Sequence, residues 1–282
     1  MRAGGRLEPR SGAQSWLTVC RIQSGEGPEE EEKDMLIHGI LAALVRCGHR
    51  VADCAVTCIK DLASTLKGYY LDKRVGNIDT GYSYSDSFTQ GKYEDSLEYV
   101  PSGYTAITAM LRHLPLTEDD VFVDFGCGKG RVIFAIATQR LRKVIGIEVD
   151  KTLADIARAN LTNLIKVNVT RTPTEVLHSD ATTFDPKDGT IFFMFNPFER
   201  KTLQDVLNNI RASLISHPRG IRILYNNPKH GVVLDMQDWL VAEGEIDNSR
   251  VYVWRNRPVS QTHSAGTGEF LARTPTGLCG GG

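Results

Sequence analysis

The sequence predicts an α/β fold built on a doubly wound sheet, preceded by an N-terminal helical and lid segment, and three observations predict it. Residues 121–125 (VFVDF) form an apolar, β-rich run that stops at a glycine. Gly126, Gly128 and Gly130 punctuate a tight turn, after which residues 131–137 (RVIFAIA) have helical apolar spacing, so the unit reads strand, turn, helix. Beyond a second apolar run that ends at Glu148, strand-like and helix-like periods alternate as they do in a doubly wound sheet.

Taken in order, residues 1–34 are expected to be a disordered leader. Arg2, Arg6, Arg10 and Arg21 outnumber the acids there up to residue 25, a bias similar to that of an organelle transit peptide but without an amphipathic pattern. Met1 and Met35 are both candidate initiators. Glu29, Glu30, Glu31 and Glu32 solvate the start of the helical stretch that follows, where negative charge complements the helix dipole. Residues 35–66 read as two helices broken near Cys47 and Gly48. Residues 67–104 are polar and aromatic with little periodicity, and Tyr69, Tyr70, Tyr82, Tyr84, Phe88, Tyr93, Tyr99 and Tyr104 crowd into them. Ordinary loops are less aromatic, and two readings stand: a lid over a pocket, or rings that seal the helical subdomain to the core.

Residues 35–116 therefore form an N-terminal unit of helices and lid, ending in a helix over 105–114. The core occupies 117–258: a helix over 151–161, a short strand over 175–178, a buried strand over 190–195 (TIFFMF), a helix over 203–215, a strand over 220–225 (GIRILY), a helix over 233–240, and a closing hairpin from 243–246 and 250–254. Residues 259–282, rich in Gly, Ser and Thr, read as a flexible tail.

Composition narrows the function classes. A chain of 282 residues, 41% hydrophobic, buries one full α/β core plus an accessory segment. Its net charge of −1 gives no global attraction to nucleic acid or to an anionic membrane. The six cysteines show no C-x-x-C pair and no metal-ligand spacing, so no metal is expected, and the pattern suits a reducing, cytoplasmic setting. The longest apolar run, 35–45, is interrupted by His38 and Gly39 and is too short to span a bilayer.

The glycine turn separates two ligand classes. A dinucleotide fingerprint is G-x-G-x-x-G, with the helix N-terminus facing a pyrophosphate. Here the spacing is G-x-G-x-G, and Asp124 stands two residues ahead of it. A carboxylate there repels a pyrophosphate and suits the cationic amino end of S-adenosylmethionine. Glu148, twenty residues after Gly128, is placed to accept hydrogen bonds from ribose hydroxyls.

These residues resemble the class I S-adenosylmethionine-dependent methyltransferases, whose first motif is two hydrophobic residues, Asp or Glu, then x-G-x-G-x-G, and whose second strand ends in an acid. The resemblance runs from near Asp119 to near Pro258, about half of the chain. It implies seven strands in the order 3-2-1-4-5-7-6 with the last antiparallel, S-adenosylmethionine as cofactor, and Asp124, Gly126, Gly128, Gly130 and Glu148 as cofactor-binding residues. Asp180, just after the third strand, takes the place of the acid or amide that accepts from the adenine amino group; a helix N-cap or Asx-turn is the alternative for an Asp in such a loop.

Asn196-Pro197-Phe198, straight after the fourth strand, is similar to the N/D-P-P-Y/F motif of amino-group methyltransferases, with one proline fewer. The resemblance makes this trio the catalytic candidates: Asn196 and the Pro197 carbonyl accept from an acceptor N–H while Phe198 packs on a planar group. A strand-ending turn is the alternative. Glu199 is either a proton acceptor or the opening of the next helix, and His230 is the histidine best placed to act as a base. His178 belongs to a strand end, and Cys127 reads as a small turn residue rather than a nucleophile. The expected activity is methyl transfer to a nitrogen of a small molecule or protein side chain, with an oxygen acceptor or binding without catalysis as alternatives. The G-I-E strand end and D-F-G-x-G-x-G turn are also similar to the Dot1-type lysine methyltransferases.

Overall fold

A computed structural model of the chain describes residues 72–73, 76–81 and 99–257. The two N-terminal helices, most of the aromatic segment and the tail expected above lie outside these residues. Seven strands form one sheet: β1 (Val121–Phe125), β2 (Lys143–Glu148), β3 (Thr174–His178), β4 (Ile191–Met194), β5 (Arg222–Asn226), β6 (Leu240–Ile246) and β7 (Val251–Asn256). Among the described residues they are accompanied by the helices α1 (Tyr104–His113), α2 (Arg131–Ala137), α3 (Lys151–Lys166), α4 (Arg200–Ser216) and α5 (Gly231–Asp235).

The strand order is β3-β2-β1-β4-β5-β7-β6. Strands β1 to β5 pair in parallel, and β7 runs antiparallel between β5 and β6. This is the order that the class I resemblance implies. Each central strand is apolar on both sides because both faces are covered. Alternation divides its residues: Phe122, Val144 and Phe193 face α1, α2 and α3, whereas Val123, Ile145, Phe192 and Tyr225 face α4 and α5. Ile78, Tyr104, Ile107 and Met110 join the first of these cores, so the residues just before 117 pack against the sheet rather than apart from it.

Local chemistry sets the helix starts that matter for the site. Asp150 caps α3, its Oδ1 accepting from the N–H groups of Thr152 at 2.7 Å and Leu153 at 3.1 Å, an arrangement that stabilises a helix by about 1 kcal/mol. Helix α2 begins at Gly130, which sits in the left-handed region at φ 94°.

Two expectations fail at the C-terminal end. The helix expected over 233–240 stops at Asp235, and Leu240 instead opens β6. A continuous helix would put Met236 and Leu240 on one face, yet Met236 is 75% exposed and Leu240 is buried and pairs with Asn256. Strand β6 is correspondingly longer than expected and absorbs an irregularity between Ala242 and Gly244. Among the described residues no helix is long and apolar enough to cross a membrane.

Candidate functional site

A cavity of about 390 Å³ opens at the carboxyl ends of the parallel strands, where open α/β sheets place ligands. Its lining brings together Asp124, Gly126, Glu148, Asp180, Asn196, Pro197 and Phe198, residues the sequence singles out from four separate stretches.

The floor is the glycine turn tied onto the end of β2. Gly126 and Cys127 both donate to the Ile147 carbonyl, at 2.9 and 3.0 Å. Glu148 continues the tie: Oε2 accepts from the Gly128 N–H at 2.8 Å and Oε1 from the Asp150 N–H at 2.9 Å. The carboxylate expected to face a ribose therefore also shapes the turn. Burial pushes the Glu148 carboxyl up, and the N–H groups of Asp150 and Gly128 oppose that rise.

Asp124 is the exception to this good pairing. Its side chain lines the cavity at 2% exposure, and no hydrogen-bond partner for its carboxyl is found among the described residues. Burial, and then the nearby Glu148 charge, push it well above the usual carboxylate range. A buried polar atom without a partner fits a cationic ligand group that completes it.

The glycines are small for a reason the sequence does not show. A Cβ on Gly128 would run into the Tyr99 ring, one on Gly126 into Pro197, and one on Gly130 into Phe134. Gly128 and Gly130 are thus covered by protein, and the close approach that the resemblance reserves for a cofactor is taken at Gly128 by Tyr99. That ring, whose hydroxyl donates to the Thr80 carbonyl at 2.9 Å, lines the cavity with Val100, Pro101 and Ser102. Of the expected aromatic lid, this is the part the described residues show at the site.

Past the end of β3, Asp180 Oδ1 accepts from both the N–H and the hydroxyl of Thr182, at 2.7 and 2.8 Å, capping a short 3₁₀ turn over Ala181–Thr183. The residue is a cap and a cavity wall at once. Asn209 of α4 holds the same turn by donating to the Thr182 carbonyl.

The trio expected to be catalytic lines the cavity, and much of its polar capacity is used within the protein. Asn196, in the left-handed region at φ 46°, donates from Nδ2 to the Asn227 carbonyl at 2.9 Å and accepts at Oδ1 from the Lys229 N–H at 3.0 Å. Phe198 is 7% exposed and belongs to the buried cluster that includes Leu203 and Val206, and it also lines the cavity. Glu199 turns away from the cavity and binds Lys229 and, at 2.7 Å, His230 Nε2. Lys229 and then His230 hold the Glu199 carboxyl below its ordinary value. Neither Glu199 nor His230 lines the cavity. Four contacts therefore lash the loop after β4 to the loop after β5. His178 is turned to the Val149 carbonyl, and burial pushes the Cys127 thiol well up, in keeping with a turn residue.

Sequence reasoning missed Arg131. It lines the cavity, donates from Nε to Thr80 Oγ1 at 2.8 Å and from Nη1 to the Ser102 carbonyl at 3.3 Å, and stacks on Tyr104 at 4.9 Å. Asp72 accepts from the hydroxyls of Tyr104 and Thr80 in the same network. A cation on the first residue of a helix opposes the dipole, and that local conflict was a signal available in the sequence. Among the described residues no group of three or more His, Cys, Asp or Glu side chains could hold a metal ion.

Comparison with known proteins finds methyltransferases. Residues 90–170 match the family described as "Histone methylation protein DOT1". A protein-lysine N-methyltransferase of Saccharolobus islandicus (strain REY15A) is 31% identical over 70 residues, covering 24% of this chain and 44% of that protein. A histone-lysine N-methyltransferase, H3 lysine-79 specific, of Dictyostelium discoideum is 48% identical over 50 residues, 17% of this chain and 3% of that protein. The chain spans less than half the length of the curated relatives it matches. A solved RNA methyltransferase of Salinibacter ruber, in complex with S-adenosyl-L-homocysteine, aligns with a TM-score of 0.42 at 23% identity over 57% of this chain and 95% of that one.

Proposed function

We propose that this chain, whose fold is that of the class I S-adenosylmethionine-dependent methyltransferases, binds S-adenosylmethionine in the cavity and transfers its methyl group to a nitrogen, that of a lysine side chain in a protein. One observation carries the reading: Asp124, which has no hydrogen-bond partner among the described residues, and the turn-holding Glu148 meet at the floor of a single cavity, one suited to an ammonium and the other to hydroxyls. Asp180 and its turn close the adenine end.

The cofactor supplies an electrophilic methyl on a sulfonium, so the protein's task is to hold an acceptor about 3 Å away and in line. The wall made by Tyr99, Val100, Pro101 and by Phe195, Asn196, Pro197 carries no carboxylate, imidazole or amine. Such a wall suits an uncharged amine at the end of an aliphatic chain. An oxygen acceptor needs a base to create its nucleophile, and the two bases the sequence suggests, Glu199 and His230, are bonded to each other outside the cavity. The lysine as acceptor is supported by the two curated relatives, both named as lysine N-methyltransferases, and by the family model that matches residues 90–170, the stretch containing the glycine turn.

Asn196, Pro197 and Phe198 act in this reading as the wall that positions the acceptor. A cytoplasmic setting is part of the same proposal, supported by the scattered cysteines, as is the division into a leader over 1–34, helices and lid over 35–116, a core over 117–258 and a tail over 259–282.

The test has two stages. Calorimetry with S-adenosylmethionine, S-adenosylhomocysteine and NAD is expected to show micromolar binding of the first two and none of the third. Cell extract is then incubated with the protein and methyl-labelled S-adenosylmethionine, and the labelled product is hydrolysed. Label in methyllysine supports the reading; label in base-labile esters or in nucleic acid overturns the acceptor.

A further inference from the structure

Arg131 opens α2 directly after the glycine turn, and only 10% of its side chain is exposed. Nothing local favours it there, because a cation on the first residue of a helix opposes the dipole. Its partners come from ahead of the core. Nε donates to Thr80 Oγ1 at 2.8 Å, Nη1 donates to the Ser102 carbonyl at 3.3 Å, and the guanidinium plane stacks on the Tyr104 ring. Asp72 Oδ2 lies 3.9 Å from Nη2 and balances the charge. The same oxygen accepts from the N–H and the hydroxyl of Thr80, at 2.9 and 2.6 Å, while Oδ1 accepts from the Tyr104 hydroxyl at 2.7 Å. Asp72, Thr80 and Ser102 are all buried.

These bonds reach both ends of one cavity wall. Tyr99, Val100, Pro101 and Ser102 line the cavity in sequence, with Val100 47% exposed. At one end the Tyr99 hydroxyl donates to the Thr80 carbonyl at 2.9 Å, so the residue that holds the ring is itself held by Arg131. At the other end Arg131 takes the Ser102 carbonyl directly. Thr80 is a fixed post, because its neighbour Asp79 is tied down separately. The Asp79 N–H donates to Asn160 Oδ1 at 2.9 Å, its carbonyl accepts from Asn160 Nδ2 at 2.6 Å, and its carboxylate pairs with Lys129 at 3.1 Å. The two bonds to the wall need the planar fork of an arginine; a lysine supplies the charge as a single point.

We infer that Arg131 is a positioning residue for the methyl acceptor: it fixes both ends of the wall over 99–102 against the glycine turn, and so sets where an acceptor lies relative to the methyl donor. This rests on the cavity being the site of methyl transfer to lysine. The wall and the cofactor floor come from distant parts of the chain, and Arg131 joins them from the first residue after the turn. A misplacement of about 1 Å between acceptor and donor costs about 10²-fold in rate.

The experiment compares the full chain with Arg131→Lys, Thr80→Val and Thr80→Ser. It reads S-adenosylhomocysteine affinity by calorimetry, methyllysine formed in cell-extract protein from methyl-labelled S-adenosylmethionine, and hydrogen exchange of peptides spanning 99–104. Arg131→Lys should keep S-adenosylhomocysteine affinity within about threefold and lose about 10²-fold in turnover. Its exchange at 99–104 should be at least about tenfold faster. Thr80→Val removes the oxygen that Nε uses and should give the same pattern, and combining it with Arg131→Lys should cost little more than either alone. Thr80→Ser keeps that oxygen and should behave as the wild type.

Wild-type turnover in Arg131→Lys overturns the inference. So does a loss of turnover matched by an equal loss of S-adenosylhomocysteine affinity, which makes Arg131 act through the cofactor. If Arg131→Lys does not fold, the Thr80 pair decides, and equal turnover by Thr80→Val and Thr80→Ser overturns the inference. The exchange measurement needs no acceptor: unchanged exchange at 99–104 sinks the inference whatever the acceptor is. A wild type that labels no lysine, beside variants with faster exchange, overturns the acceptor reading and leaves the hold of Arg131 on the wall standing.

Discussion

The ring of Tyr99 lies on Gly128, in the space that a side chain at 128 would need. The φ of +54° at Gly128 adds a backbone reason for glycine. Substitution at 128 therefore strikes the wall of the cavity before it strikes any ligand. Gly128→Ala should destabilise the empty protein, and a cycle with Tyr99→Ala separates the two causes. The backbone strain of alanine at positive φ is present in both backgrounds and cancels, whereas the collision with the ring is present only in the wild-type background. A coupling of about 1 kcal/mol is expected from urea unfolding. Additive losses would remove the ring contact as the reason for the glycine.

Glu148 holds two backbone N–H groups of the turn and its flank, so its removal should be felt without any cofactor. Glu148→Ala leaves the donors of Gly128 and Asp150 unpaired in a buried place. Each unpaired donor costs about 1–3 kcal/mol, and the unfolding midpoint of the empty protein should fall together with S-adenosylmethionine affinity. An unchanged midpoint with weakened binding would confine Glu148 to the ligand.

Asp124 has the opposite character. Burial raises its folded value above the ordinary one, so the stability it contributes is fully present below its unfolded value, about 3.9, and is lost as pH rises through the folded value. Asp124→Asn removes that loss. The empty variant should melt above the wild type by about 2–4 °C at neutral pH, and the gap should close near about pH 4. Saturating S-adenosylmethionine should reverse the order, because the ligand stabilises the wild type more. A variant that melts lower than the wild type when empty would show that the Asp124 carboxyl is already satisfied.

Much of this site was legible in the sequence because its signals are local. The strand, glycine turn and helix at 121–137 lie in one short stretch, and Glu148 and Asp180 each end a strand of their own. What was not legible joins distant residues: Tyr99 with Gly128, Asp79 with Lys129, Arg131 with Thr80. Nothing in a single sequence marks such pairs, since any partner of suitable size or charge would read the same. The region 231–240 failed for another reason. Val233, Leu234 and Leu240 fit a helical stripe by spacing, but sheet pairing with Asn256 claims Leu240, and tertiary pairing outweighs a weak local pattern.

Asn196 supplies the decisive comparison for the acceptor side. If its amide touched the acceptor, Asn196→Asp would keep the accepting oxygen and much of the turnover, while Asn196→Ala would lose about 10²-fold with stability intact. The amide instead donates to the Asn227 carbonyl and accepts from the Lys229 N–H. An aspartate there loses the donor and sets a carboxylate oxygen against a carbonyl, so it should be no better than alanine. Both variants should lose about 1–3 kcal/mol of stability, and both should lose turnover because Pro197, packed on Gly126, shifts with the loop. S-adenosylmethionine affinity should change less than turnover, since the floor residues Asp124 and Glu148 belong to other strands. Melting temperature, cofactor affinity and methyl transfer to the labelled acceptor fraction, measured on both variants, separate the cases. An Asn196→Asp protein with wild-type stability and retained turnover, beside an inactive but stable Asn196→Ala, would return the amide to direct contact with the acceptor.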